Sequence, residues 1–513
     1  MMPSKFADKI KRCLKNLSWR AQGAPADADE QPWRHPFLTE RNLKRFAEYS
    51  RGVLAFAQRH RQKNPGNLKA AFVVNMAQNM YKWATMAKES GWDVTVYTHP
   101  LDLSAISQPA WEEFDGEFEN IYDGQGFKKL AGASLPLRVP CKEITMDGMG
   151  SCECALQFED GIRLPLHRFL AQHRPLKIEP FISYDGIYPY FRWAEELHGY
   201  DVITAASDPI AAYLSQRPYF AVPVGGDMLY SCGRRDDYGK IMGLAFNAAH
   251  FLQVSNPHIL AHCRRHGFTN GIYLRYPIDE DWYAPGAGHA RARWDAEYGE
   301  GFYVLSSCRI DSQVKGNGLP LFNVLKEVVR VEPKIRFVFL EWGNDIVKIK
   351  EAIRQGEMKK NFIFLSPVGK KRLLDYYRSC DCVLDQFTLG YYGSTVLEAA
   401  CLGKAVIMKV RNEHYRPLYG DQMPPILNAG DLDSVKSILL KLAGDRRWCE
   451  ENGRAMRKWV VATHGKSQVM PALLGLLQLI ADRTPLPAEL INPLCDELTD
   501  EEKRYHAQCH RLI

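Results

Sequence analysis

The chain has 513 residues, 46% of them hydrophobic and 25% charged, an ordinary globular balance with ample core for two or three domains. No run approaches the ~18 apolar residues of a spanning helix, and the start MMPSKFADKIKRCLKNLSWR has no apolar signal core, so neither a helical membrane protein nor a secreted one is expected. The net charge of +6 is unevenly spread, because residues 1–64 hold 14 Lys/Arg against 6 Asp/Glu and the rest of the chain is close to neutral.

The 13 cysteines are odd in number and scattered through apparent strands and helices, which points to free thiols in a reducing compartment. Cys152 and Cys154 form a C-x-C with no second Cys/His pair at zinc spacing, so buried or loop thiols outrank a metal site. A cytoplasmic protein is expected, with no metal, no cofactor and no nucleic-acid partner.

In chain order, Phe6, Ile10, Leu14 and Leu17 recur at helical spacing among Lys5, Lys9, Lys11, Arg12 and Lys15, the pattern of a basic amphipathic helix. Such a helix suits an anionic membrane surface, and packing on the protein itself is the competing reading. A Pro/Ala/Asp linker, residues 23–36, leads to a second amphipathic segment, 40–62, carrying Phe46, Tyr49, Val53 and Ala57. For this one, packing on the domain is the stronger reading.

After Asn64-Pro-Gly the period changes. Residues 68–75 (LKAAFVVN) predict a buried strand, 78–90 a helix stopped by Gly91, and 92–98 (WDVTVYT) the next strand, which makes a βαβ unit. The loop between holds Asn75 and Asn79, amides suited either to hydroxyl recognition or to helix capping. Residues 100–180 carry aromatic and acidic residues in short pieces and no motif. Strands are then predicted at 179–185, 200–206, 220–225, 249–255 and 271–276, and Gly225-Gly226-Asp227 marks a loop in which Asp227 serves a cleft or a turn.

A second sheet is predicted from 302–306 (FYVLS), with Arg309 just past the strand and Lys315-Gly316 before a helix over 319–332. Further strands follow at 336–341 and 361–365, then the loop Ser366-Pro367-Val368-Gly369, a helix over 371–379 and a strand over 382–384. The stretch 385–408 then reads as a Gly-punctuated loop, a helix over 394–401, Gly403 as a stop and a strand over 405–408. Gly393 permits close approach of a ligand, Ser394 or Thr395 is placed to cap the first turn, and Glu398 sits one turn in, where a carboxylate accepts two sugar hydroxyls. Helices over 432–443, 446–461 and 470–483 close the chain.

Gly393, Glu398, Ala399, Ala400, Gly403 and Ala405-Val406-Ile407 resemble the signature of GT-B glycosyltransferases, in particular the large retaining family 4-like (group 1) proteins with Glu-x7-Glu followed by small residues and G-x-P/A-V-I. The resemblance implies an α/β fold of two Rossmann-like domains facing across a cleft. It spans about residues 68–483 and is weakest between 100 and 180. In that family the second Glu, here Glu398, holds the nucleotide ribose, whereas the first, which touches the donor sugar, is replaced here by Gly390.

The family's Arg and Lys-Gly hold the donor diphosphate, which implies that role for Arg309 and Lys315. Its loop backbone contacts the base where Val368 and Gly369 stand. A His that often follows one N-domain strand is absent, the positions being Ser207-Asp208-Pro209, which leaves Asp227 as the carboxylate on that side, with Gly226 and Asn79 for the acceptor.

The expected organisation is a basic extension (1–64), an acceptor domain (65–285), a nucleotide-sugar domain (286–470), and a returning helix with tail (471–513). The expected reaction is metal-independent transfer of a hexosyl group from a nucleotide-diphosphate sugar to a hydroxyl of a glycan or lipid-linked acceptor, with retention. The protein would be cytoplasmic, peripheral on the inner membrane face. Two rivals are a nucleotide-sugar epimerase of the same fold and a non-catalytic relative that only binds.

Overall fold

The computed structural model describes residues 32–98, 104–132, 135–143, 188–234, 237–354, 358 and 360–509. The basic helix expected around Phe6 to Leu17, the strand expected at 179–185, and Cys152 and Cys154 lie outside them. The chain forms two compact units: Met1–Asp102 with Arg138–Leu274 and Ala472–Ile513, and Leu103–Leu137 with Arg275–Pro471. Residues 103–137 thus belong with the second unit although they precede most of the first unit's strands.

The first unit holds a seven-stranded sheet of β1 (Lys69–Val73), β2 (Asp93–Thr98), β3 (Cys141–Glu143), β4 (Val202–Ala206), β5 (Tyr219–Val222), β6 (Phe251–Val254) and β7 (Gly271–Tyr273). Their order is β3-β2-β1-β4-β5-β6-β7, and all pairs are parallel. Parallel strands are covered on both faces, which explains why Ala70–Val73 and Val202–Ala206 are buried at every position.

Helix Glu40–Lys63 packs on this unit. Thr39 caps it by accepting from the Asn42 amide at 3.2 Å, and Leu43, Phe46, Tyr49, Val53 and Ala57 are buried. Ser50 Oγ, on the same face, accepts from the Tyr273 amide of β7 at 2.9 Å. The apolar stripe of this basic segment is therefore spent on its own unit, and only its charged face meets solvent. The tail that follows Ala481 is anchored by buried Arg264, which donates to the carbonyls of Leu494, Asp496 and Glu497 and to the Glu502 carboxylate at 2.7 Å.

The second unit holds six parallel strands: β8 (Phe302–Ser306), β9 (Ile335–Leu340), β10 (Phe362–Leu365), β11 (Cys382–Leu384), β12 (Ala405–Met408) and β13 (Leu427–Asn428). The order is β10-β9-β8-β11-β12-β13. Its core is strongly aromatic, with Phe322, Phe337, Phe339 and Phe362 in mutual ring contact.

In this order the chain reverses direction across the sheet between β8 and β11, as it does in the first unit between β1 and β4. Loops leaving the carboxyl ends of such a strand pair diverge, and the crevice between them is where open α/β sheets bind ligands. Cys263, Cys308, Cys380, Cys382 and Cys401 are buried free thiols. No helix among the described residues is long and apolar enough to cross a membrane.

Candidate functional site

The loop after β8 carries Arg309 and Lys315 on a rigid frame. Buried Asp311 accepts from the Val314 amide at 2.9 Å and from Asn344 Nδ2 at 3.0 Å. Asn317 bridges the loop, accepting from the Asp311 amide at 2.8 Å and donating to the Arg309 carbonyl at 2.9 Å. Trp342 donates its indole N–H to the Ser307 carbonyl, and Asp345 accepts from the Ser312 amide. Held this way, the guanidinium of Arg309 lies 3.6 Å from Asp311 with its side chain about one-third exposed.

Lys315 meets the β11 loop directly. Its carbonyl accepts from the Phe387 amide at 2.8 Å, and Gly316, at φ +69°, lies so close to Thr388 that a Cβ would collide with Thr388 Oγ1. The Lys-Gly pair is thus a steric requirement as well as a charge. Burial pushes the Asp385 carboxyl up, and the nearby Lys315 ammonium pulls it back. Gln386 Oε1, buried on these loops, has no hydrogen-bond partner in the protein, and Arg309 Nε has only the Asp311 carboxylate at 3.6 Å.

Helix Ser394–Cys401 follows the β11 loop that Lys315 and Gly316 touch at Phe387 and Thr388. Its N-cap is Gly393, which has no side chain to offer, so Ser394 and Thr395 are the first two helical residues and do not cap it as expected. Gly393 is exposed and both hydroxyls are half-buried, so the first amides of the helix, which have no intrahelical acceptor, are open to an anion. Tyr391 and Tyr392 turn inward instead, bonded to His414 and to Tyr419 and His464, and stiffen the loop.

Glu398 is placed differently from the sequence expectation of an open carboxylate. It is 3% exposed, and both its oxygens accept from Lys370 Nζ at 2.7 and 2.8 Å. Lys370 lies over the Trp111 ring, 4.5 Å from its centroid. Val368 and Gly369 are likewise engaged: the Val368 carbonyl accepts from Trp111 Nε1 at 2.9 Å, and the Gly369 amide donates to the Gly116 carbonyl at 2.9 Å. Arg309, Lys315 and Gly393 lie on the loops that follow β8 and β11, with Ser394 and Thr395 just after, and Val368 and Gly369 meet a segment of residues 111–118 that sequence reasoning passed over, to which Glu398 is joined through Lys370.

In the first unit, Asn79 opens helix Asn79–Glu89 after β1, and Gly226 precedes the short helical turn Asp227–Ser231 after β5, both at the carboxyl edge of the sheet. Asp227 is 2% exposed and accepts from the amides of Val224, Gly225 and Met228, so both its oxygens hold its own turn. Asn79 is buried, and its Oδ1 lacks a partner. Strain collects at the adjoining ends of β1 and β4, where Val74 and Ser207 both have φ +62° and Gln78 φ +67°. For a β-branched residue this is a costly conformation, of the kind that clusters at ligand sites. Asp208, beside Ser207, accepts from the Tyr190 hydroxyl at 2.5 Å and from the Ile210 amide at 3.1 Å. No pattern in the sequence announced Asp208, Asp311 or Asn317 except their place just after a strand.

No family model matches the sequence, and no curated protein matches it. Solved structures do match over most of the chain. HepE from Anabaena in complex with UDP-glucose superposes with a TM-score of 0.53 at 14% identity, covering 81% of this chain and 99% of that one. Sucrose-phosphate synthase from Thermosynechococcus elongatus gives 0.52 at 14% identity, covering 80% and 99%. At this identity the likeness is one of fold, two parallel-sheet α/β units of the GT-B class.

The buried carboxyls of the first unit yield a pH test. Burial pushes both Asp208 and Asp227 up to about 6 from an ordinary 3.8. The folded chain holds these protons more tightly than the unfolded one, so their contribution is most favourable below about pH 4 and is lost as pH rises through about 6. Asp208→Asn should shrink the fall in urea midpoint between about pH 4 and pH 6.5; a fall as large as in the parent would show that Asp208 is not held protonated.

Proposed function

We propose that the chain transfers a sugar from a nucleoside diphosphate-sugar to a hydroxyl of a glycan or lipid-linked acceptor. The observation that carries this reading is the convergence, at the carboxyl ends of β8 and β11, of Arg309, Lys315 and the open N-terminus of helix Ser394–Cys401. The fold likeness to HepE, solved with UDP-glucose, supports it.

Breaking the bond between the anomeric carbon and the diphosphate oxygen leaves growing negative charge on the diphosphate. A planar guanidinium, an ammonium and helix amides fixed in advance stabilise that charge more in the transition state than in the ground state. This reading needs no metal. Retention follows if the acceptor hydroxyl attacks the face the diphosphate leaves: its oxygen bonds the anomeric carbon while its proton passes to the departing diphosphate oxygen. No side-chain base is then required, in keeping with Ser207-Asp208-Pro209 where the resembled family often has His. Asp227 enters as the residue that shapes the Gly225-Gly226 loop, with Asn79 toward the acceptor. The epimerase alternative wants a carboxylate at the sugar, and Asp227, its candidate, spends its oxygens on backbone amides.

A second reading, a glycosyltransferase-like chain that only binds, is favoured by one observation, the engagement of Glu398 by Lys370. Peripheral attachment to the cytosolic leaflet is part of the proposal and rests on the basic pattern of residues 5–17. Co-sedimentation with anionic vesicles at low salt should fail when residues 1–35 are removed; equal binding by the shortened chain would refute it.

Arg309→Ala and Lys315→Ala should each lower turnover in a nucleotide-sugar transfer assay by about 10²- to 10³-fold, the size of removing one preorganised donor. Parental rates in both variants would contradict the assignment, and nucleotide binding by the parent chain with neither transfer nor donor hydrolysis would favour the binding-only reading.

A further inference from the structure

Residues 111–118 form a strap across the loop after β10. The amide of Phe118 donates to the Pro367 carbonyl at 2.9 Å, Gly369 to the Gly116 carbonyl at 2.9 Å and Lys371 to the Phe114 carbonyl at 3.2 Å, while Glu117 and Val368 pair in an antiparallel bridge. The contact is intimate enough that a Cβ on Gly369 would collide with the Phe114 carbonyl oxygen. Ion pairs flank it, Lys371 with Glu113 at 3.5 Å and Arg372 with Asp115 at 2.8 Å.

At its start the strap presents a flat ring with an N–H. That N–H, Trp111 Nε1, donates to the Val368 carbonyl at 2.9 Å, and the ring lies against Lys370, whose ammonium fills the Glu398 carboxylate. Trp111, Lys370 and Glu398 are all nearly inaccessible to solvent. Behind them Glu112, fully buried, accepts from the Tyr283 hydroxyl at 2.6 Å through one oxygen, and its other oxygen has no partner. A ring N–H on a loop carbonyl and paired donors on a carboxylate are the contacts a nucleoside makes through its base and its ribose hydroxyls.

We infer that Trp111 of the strap and Lys370 beneath it act together as an internal nucleoside mimic: Trp111 takes the place of the base and Lys370 that of the ribose hydroxyls, so that a nucleoside diphosphate binds fully only after residues 111–118 lift away and Lys370, uncovered, turns from Glu398. This rests on the reading of the second unit as a diphosphate site. The two halves of the site then differ. Arg309, Lys315 and the Gly393 helix start remain open to a diphosphate, whereas the nucleoside half is closed. A chain that spends part of its time with the strap lifted shows an affinity reduced by that fraction.

The test is titration of the full chain with UDP, GDP, ADP and inorganic pyrophosphate by calorimetry. Trp111→Ala should raise the affinity of at least one nucleoside diphosphate tenfold or more and leave pyrophosphate unchanged. Trp111→Phe, which keeps the ring and loses the N–H, should give a smaller gain in the same direction. In the unsubstituted chain, hydrogen exchange should speed up in peptides covering 112–120 and 366–372 when the nucleotide is added. Equal nucleotide affinity in the parent and Trp111→Ala, or slower exchange in both peptides, overturns the strap and leaves the diphosphate site standing. If neither pyrophosphate nor any nucleoside diphosphate binds either chain, the diphosphate reading fails and the strap with it.

Discussion

The second unit depends on one topological constraint: β8 and β11, nearly eighty residues apart in sequence, lie side by side and run parallel. Their following loops must leave the same edge in opposite directions, and a crevice opens between them. What converts the crevice into a site is stiffness. Asp311 and Asn317 tie the β8 loop to itself and to the β9 loop, and Gly316 lets it touch Thr388 with no side chain between. Cations held this firmly cost little reorganisation when charge develops beside them, the condition under which fixed donors act most strongly.

Charge in this unit is arranged in two tiers. Arg309 and Lys315 keep access to solvent, and the Arg309 guanidinium pairs only loosely with Asp311, at 3.6 Å. Lys370 and Glu398, by contrast, are sealed under Trp111 and neutralise each other. A buried ion pair gains little over an apolar filling, yet removing one member of it is strongly destabilising, so such a pair specifies an arrangement more than it stabilises one. Here the pair lies directly under the Trp111 ring of residues 111–118.

The elements with strong local signals were legible. β8, β11, β12 and helix Ser394–Cys401 fall at the residues that hydrophobic runs and Gly stops indicated, because buried parallel strands and a short helix with a Gly boundary are determined locally. Segment 104–132 was opaque for the opposite reason. Its short pieces have no period, and what fixes Trp111 and Phe118 is Val368 and Pro367, some 250 residues away. Glu398 was legible in part: its place on the helix could be read, but its partner Lys370, on another helix, could not. Ser394 and Thr395 were read as caps because they are good capping residues, while the chain uses Gly393 and leaves the helix start open. At Asp227 the turn explanation, weighed equally with a cleft role, describes its hydrogen bonds.

On the proposed function, the crevice between β8 and β11 binds the diphosphate of a nucleotide. Thermal unfolding with a panel of nucleoside diphosphates, on the parent chain and on the Arg309→Ala/Lys315→Ala double variant, tests it most directly. A ligand at a hundred times its dissociation constant adds about 2.7 kcal/mol to stability. At least one nucleoside diphosphate should raise the melting temperature of the parent, and the double variant should lose the rise. No rise with any of them, or a rise that persists undiminished without both cations, would contradict it.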